Sequence, residues 1–166
     1  MNNTNIYDKW DKEIDVVGLA KDVKEVEANG TKNEYKEVPY GDYEVAVDKM
    51  ELKSSKKGDP MVSIWFKIVS GEYKGSLIFM NQVVNQAFQI HIVNDILRKM
   101  TSEMPNSNAV CSMIEGFKTE FSYKQYANLI MDIFEDINEN YEFALSYEKN
   151  NKGYNTFDIT EVFVLE

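Results

Sequence analysis

The sequence predicts a mostly β domain with a helical insert. Three observations carry this. Apolar residues alternate with a period of two between Tyr43 and Val84, switch to helical spacing between Phe88 and Ile137, and alternate again in a C-terminal hairpin. The 166 residues suit one domain, or one domain with an appended arm, and 43% hydrophobic and 13% aromatic content suffices for a packed core.

Residues 1–40 are charged and weakly patterned. Asp15 is a candidate cap for a short helix with Leu19, Val23 and Val26 on one face and Gly30 at its end, so this stretch reads as an N-terminal arm packing on the main body. Pro39 and Gly41 then punctuate the chain. From Tyr43 the alternation sets in: Tyr43, Val45 and Val47 share one face, Glu44, Ala46 and Asp48 the other. Met50 and Leu52 continue the apolar face one residue out of step, which predicts a β-bulge and a bent first strand. The run Lys53-Ser54-Ser55-Lys56-Lys57-Gly58-Asp59-Pro60 is a loop by composition. In the second strand, Met61 to Val69, Val62, Ile64, Phe66 and Ile68 form one face, and Met61, Ser63, Trp65 and Lys67 the other. Gly71 and Gly75 bracket a turn, and Leu77 to Val84 forms a third strand.

Asn85 is the candidate cap of a helix bearing Phe88, Ile92, Val93, Ile96, Leu97 and Met100. Residues 101–120, broken by Pro105 and Gly116, fit no single pattern. Ser122 and Gln125 then form a capping-box pair ahead of Tyr126, Leu129, Ile130, Ile133, Phe134 and Ile137, which follow helical spacing. The last element is a hairpin: Phe143, Leu145 and Tyr147 alternate outbound, Glu148 to Gly153 turn, and Phe157 and Ile159 alternate on the return. Three strands, a helical insert and two strands are the element order of a five-stranded OB-type barrel, here spanning 41–166. A β-grasp or a mixed α+β sheet has similar strand counts.

Composition excludes several classes. No apolar run reaches the length of a membrane span, and the polar, acidic Met1–Asp15 segment does not read as a signal peptide. One cysteine, Cys111, allows no internal disulfide, suits a reducing cytoplasm and reads as a small buried hydrophobe. With the single histidine, His91, it cannot build a Cys/His zinc site. No cofactor motif is present: there is no phosphate-cradling glycine loop, GxSxG or HExxH. Asp132, Glu135 and Asp136 cluster on a helix as metal-nuclease carboxylates do, but a solvated acidic face explains them more simply. The expectation is a non-enzymatic protein.

The net charge of −10 runs against nucleic-acid binding, yet binding depends on a local patch. Between Lys53 and Gly75 stand Lys53, Lys56, Lys57, Lys67 and Lys74 against Asp59 and Glu72, a local +3 that leaves −13 elsewhere. OB folds bind through strands two and three and the loops joining strands 1–2 and 4–5. Those loops carry Lys53, Lys56 and Lys57, and Lys149 and Lys152. The outward face of strand two carries Trp65 beside Lys67, with Phe79 and Tyr154 as further rings. Cations that track phosphates and flat rings that stack bases are what single-strand binding without sequence preference needs. Each feature has a simpler reading: Trp65 covering the helical insert, Phe79 in the core, Tyr147 and Tyr154 packing the hairpin, and lysines guarding apolar strands.

The run GDYEVAVDKMELKSSKKGDPMVSIWFKIVSGEYKGSLIFMNQVV resembles small phage single-stranded DNA-binding proteins of replication and recombination clusters. The likeness rests on Gly41 and Tyr43; on Ser55, Lys56, Gly58, Pro60 and Met61; and on Gly71, Tyr73 and Gly75. YKQYANLIMDIFEDI and KGYNTFDITEVF are similar to the Gram-positive phage members, so that the resemblance covers roughly 40–166. It implies an OB fold, action in the host cytoplasm, single-stranded DNA as ligand, partnership with a recombinase, helicase or nuclease, and backbone contacts from Lys56 and Lys57. A homodimer is compatible with it, although no interface is legible. Many such binders recruit partners through an acidic tail; Ile159 to Glu166 reads as strand instead. The competing reading is a protein-binding adaptor or inhibitor that uses its acidic surface.

Overall fold

A computed structural model describes residues 37–166, together with Gly18 and Ala20. Of the expected helix between Asp15 and Gly30, Gly18 and Ala20 are described and are helical; the rest of it, and its packing as an arm, lie outside the described residues. Within residues 37–166, five strands and three helices follow one another as β1 (Gly41–Ser54), β2 (Pro60–Ile68), β3 (Leu77–Val83), α1 (Ala87–Met100), α2 (Ser107–Gly116), α3 (Tyr123–Ile137), β4 (Tyr141–Lys149) and β5 (Asn155–Val164).

The strands form one antiparallel sheet in the order β3-β2-β1-β4-β5. The long first strand is shared between two partners. Gly41 to Val45 pair with β4, and Val45 to Ser54 pair with β2. The register slips between Val47 and Lys49, so the bulge expected from the displaced apolar pattern is present, with Asp48 as the extra residue. A second slip, opposite Ala144 and Leu145, leaves Thr160 as the extra residue and so bulges β5. The sheet is open, with β3 and β5 at its edges among the described residues.

One face of the sheet and the helices enclose the core. Val45, Val47 and Met50 from β1, Val62, Ile64, Phe66 and Ile68 from β2, and Ile78 and Met80 from β3 are buried, as are Phe143, Leu145 and Ile159 from β4 and β5. The second strand is therefore registered as its alternation predicts. Helix α3 lies against β1 and α1 against β5. The α3 stripe Tyr126, Leu129, Ile130, Ile133 and Ile137 is buried, and Phe134 packs beside it. Ser122 caps this helix by accepting the Gln125 amide at 3.3 Å. The α1 cap is Gln86 and not Asn85: the Gln89 side chain reaches back to accept the Gln86 and Asn85 amides at 3.0 and 3.1 Å, so the helix starts one residue later.

The ambiguous 101–120 stretch contains α2, which buries Val110 and Ile114. Cys111 is half-buried rather than buried, because it sits one residue off that stripe. His91 is exposed on α1. Of Ile159 to Glu166, read from sequence as strand, the stretch to Val164 is strand, and Leu165 and Glu166 lie beyond it.

Candidate functional site

Alternation in β2 sends Val62, Ile64, Phe66 and Ile68 inward, and so sends Ser63, Trp65 and Lys67 to the opposite face. Pairing extends that face across three strands. Trp65 lies opposite Lys49 on β1 and Phe79 on β3; Ser63 lies opposite Glu51 and Asn81; Met61 lies opposite Lys53 and Val83. Neighbouring strands are about 4.8 Å apart, so each row is roughly 10 Å across.

The first row is aromatic and cationic. Phe79 and Trp65 meet edge to face, their centroids 5.3 Å apart and their planes at 85°. Lys49 Nζ lies 4.8 Å from the Trp65 ring centre, in cation–π contact. Trp65 is thus half-buried and engaged, whereas Phe79 is 42% exposed on the surface of β3. The core reading of Phe79 is overturned because Ile78 and Met80, its neighbours in sequence, take the inward positions. In the second row, Ser63 is only 2% exposed, and its hydroxyl donates to Asn81 Oδ1 at 2.8 Å. Glu51 Oε1 stands 3.4 Å from Lys49 Nζ and 4.0 Å from Lys53 Nζ, bracketed by the two ammonium groups.

Lys49 is absent from the residues singled out in the sequence. Its signal was the bulge: once Asp48 is the extra residue, Lys49 joins Glu51 and Lys53 on the outward face. Lys67 stands on the same face between Ala46 and Leu77, so Lys49, Lys53, Lys67, Trp65 and Phe79 come together. Lys56 and Lys57 sit exposed beyond Lys53, at the tip of the β1–β2 hairpin. Lys74 is exposed in the β2–β3 turn, at the other end of β2.

Lys149, Lys152 and Tyr154 belong to the β4–β5 hairpin, whose strands meet β1 at its other end, where Gly41 pairs with Tyr147. Between that end and Lys49 stand the exposed carboxylates Asp42, Glu44 and Asp48. Tyr154 is 69% exposed, so it is no part of hairpin packing; Tyr147 is, against Tyr40 and Phe157.

The two hairpin loops have the same construction. In the first, Ser55 N donates to Asp59 O (2.8 Å), Gly58 N to Ser55 O (3.0 Å) and Asp59 N to Ser55 Oγ (3.0 Å). In the second, Asn150 N donates to Tyr154 O (2.9 Å), Gly153 N to Asn150 O (3.0 Å) and Tyr154 N to Asn150 Oδ1 (3.0 Å). Gly58 and Gly153 both have φ of 87°, and Lys57 and Lys152 occupy the same position ahead of them. Each loop is therefore a fixed turn that presents an exposed lysine.

Among the described residues, no group of three or more His, Cys, Asp or Glu side chains is placed to hold a metal ion, and no helix is long and apolar enough to cross a membrane. The described part thus offers a half-aromatic, half-polar sheet face bordered by lysines.

Residues 23–128 match the family described as "Protein of unknown function (DUF669)", and the chain belongs to that family. The matched region includes β1, β2 and β3, and so the whole of this face. No curated protein matches the chain.

Proposed function

We propose that this protein is a non-enzymatic, OB-type binder of single-stranded DNA, whose strand crosses the outward face of β1, β2 and β3. The observation that carries the reading is the row Lys49–Trp65–Phe79, which sets a cation and two rings side by side on three adjacent strands. Phe79 is the free stacking platform and Trp65 its support. Lys49, Lys53 and Lys67, with Lys56 and Lys57 beyond them, take phosphates. Lys74, Lys149, Lys152 and Tyr154 extend the contact at lower weight, because carboxylates intervene along β1.

The barrel assignment is supported by the strand order, by a bulged first strand shared between β2 and β4, and by helices inserted between β3 and β4. The phage source, host cytoplasm and a recombinase, helicase or nuclease partner rest on the sequence resemblance. The test is a titration with oligo-dT at two salt concentrations. Binding should be micromolar or tighter at low salt and weaken with added salt, with a log–log slope of about −0.7 per phosphate contacted. No binding at tens of micromolar protein at low salt refutes the proposal.

A protein-binding adaptor is the second reading, favoured by the exposed acids Asp132, Glu135 and Asp136 on α3 and the exposed Met131 beside them. Recovery of one stoichiometric partner after nuclease treatment, lost when the three acids are replaced by their amides, would support it.

A further inference from the structure

We propose that Asn81 reads the edge of a base stacked on Phe79, so that the face prefers bases bearing a carbonyl oxygen. The inference rests on the binding reading above and sharpens it from indiscriminate binding to selective binding.

Asn81 and Phe79 are two residues apart on β3 and share the outward face, which separates their side chains by about 7 Å along the strand. A base lying over the Phe79 ring therefore points one edge toward Asn81, and a hydrogen bond of about 2.9 Å bridges the remaining gap. The Asn81 amide is oriented in advance. Ser63, on the facing strand, is almost fully buried although it lies in the outward row, and its hydroxyl donates to Asn81 Oδ1 at 2.8 Å. That bond takes one of the two Oδ1 lone pairs and holds the oxygen end of the amide toward Ser63. The Nδ2 end, with its two donor hydrogens, is left toward solvent on an exposed residue and has no protein acceptor among the described residues. An amide held with its oxygen toward Ser63 and both Nδ2 hydrogens toward the strand favours acceptors.

Thymine, cytosine and guanine carry carbonyl oxygens on their pairing edges. Adenine has no carbonyl oxygen: its pairing-edge acceptor is a ring nitrogen set back in the ring beside an amino group, whose hydrogens repel the Asn81 donors, so a projecting carbonyl oxygen is the better partner. Single strands expose these edges, so side-chain hydrogen bonds can read them. Stacking on Phe79 accepts any base and supplies affinity; the donor beside it supplies the preference. Ser63 is the positioning residue, since it sets which end of the amide faces the strand.

The test titrates oligo-dT, oligo-dC and oligo-dA of one length, at one salt concentration, against the full chain and two variants. Asn81→Ala removes the donors. Asn81→Asp also removes them, but keeps an acceptor for the Ser63 hydroxyl and so preserves that internal contact. One hydrogen bond corresponds to about a two- to tenfold change in affinity. Asn81→Ala should weaken oligo-dT and oligo-dC by that factor and leave oligo-dA within twofold. Asn81→Asp should lower the dT-to-dA affinity ratio similarly, on top of a uniform weakening from its added charge. The proposal is overturned if Asn81→Ala changes all three affinities by one factor or none of them, or if Asn81→Asp keeps the wild-type ratio. If the wild-type chain binds none of the three oligonucleotides, it is the binding reading itself that fails.

Discussion

Phe79→Ala separates a stacking platform from an ornamental aromatic. The ring is 42% exposed on the outward face, so its removal opens no cavity in the core. Its intramolecular contact is the edge-to-face pair with Trp65 at 5.3 Å, which is worth about 0.5–1.5 kcal/mol. The variant should therefore fold and lose little stability. Its effect on binding should be larger, because one base stacked on one ring contributes about 1–3 kcal/mol. That corresponds to a loss of roughly five- to 150-fold in affinity. The salt slope should not change, since it counts phosphate contacts and Phe79 makes none. Trp65 is a built-in reporter 5.3 Å from the lost ring, and Trp10→Phe removes the other tryptophan so that its signal is read alone. Oligo-dT is titrated at two salt concentrations, with thermal unfolding as the fold control. A folded Phe79→Ala that binds within twofold of its parent shows that no base stacks there, and the arrangement proposed for the strand is then wrong.

Other perturbations test separate parts of the structure. Glu51→Gln frees Lys49 and Lys53 from a carboxylate 3.4 and 4.0 Å away, so oligo-dT affinity should rise and should do so most at low salt; weaker binding would contradict the phosphate role of these lysines. Gly58→Ala and Gly153→Ala each force a side chain to φ of 87° where no atom clashes, so each should cost about 1 kcal/mol in denaturant unfolding, and unequal costs would break the equivalence of the two loops. Burial raises the Tyr126 hydroxyl's pKa above its ordinary value, so the stability it contributes is complete below about pH 10 and is lost as pH climbs beyond it. Tyr126→Phe should lose the 2.6 Å bond to Asn94, about 1 kcal/mol at neutral pH, and should flatten the alkaline decline; an unchanged alkaline slope assigns the decline to other groups. The gain in oligo-dT affinity should diminish as ionic strength falls toward about 0.01 M, where unscreened charges act over roughly 30 Å, and a log–log line straight to that limit would refute any opposing effect of Asp42 and Glu44.

The parts of this fold that were legible in sequence are those where one period controls a whole element. Val62, Ile64, Phe66 and Ile68 could face only one way, and that fixed Trp65 and Lys67 on the other. The α3 stripe from Tyr126 to Ile137 was legible for the same reason. Helix α2 was not, because its ten residues bury only Val110 and Ile114, too few repeats to define a period between Pro105 and Gly116. Phe79 was ambiguous because Leu77, Ile78, Phe79 and Met80 are all apolar; pairing with β2 decides the face, and pairing is not local. Lys49 and Asn81 escaped for related reasons. Lys49 reaches the site only after a bulge changes its side, and the function of Asn81 depends on a hydrogen bond to a residue 18 positions earlier.

The net charge of −10 is compatible with a strand of phosphates on this face because charge acts over a limited range. At physiological salt the screening length is about 8 Å. Glu44 is five residues from Lys49 along β1, about 17 Å at the rise of a strand, and Asp42 lies farther still. Phosphates over Lys49 therefore feel those carboxylates only weakly. The acids within range are Glu51, which the two lysines already pair, and Asp48, which the bulge places beside Lys49. The neutral or cationic strip that remains follows β1 and β2 from Lys67 to the hairpin tip at Lys56 and Lys57. When salt is removed the screening length grows past the spacing to Asp42 and Glu44, and their repulsion joins the balance. Counterion release then no longer acts alone, and the gain in affinity on dilution of salt must diminish. The same acids discourage phosphates from the β1–β4 part of the sheet at any salt concentration. A strand bound as proposed is thereby confined to the half of the sheet where Phe79 and Asn81 would meet its bases.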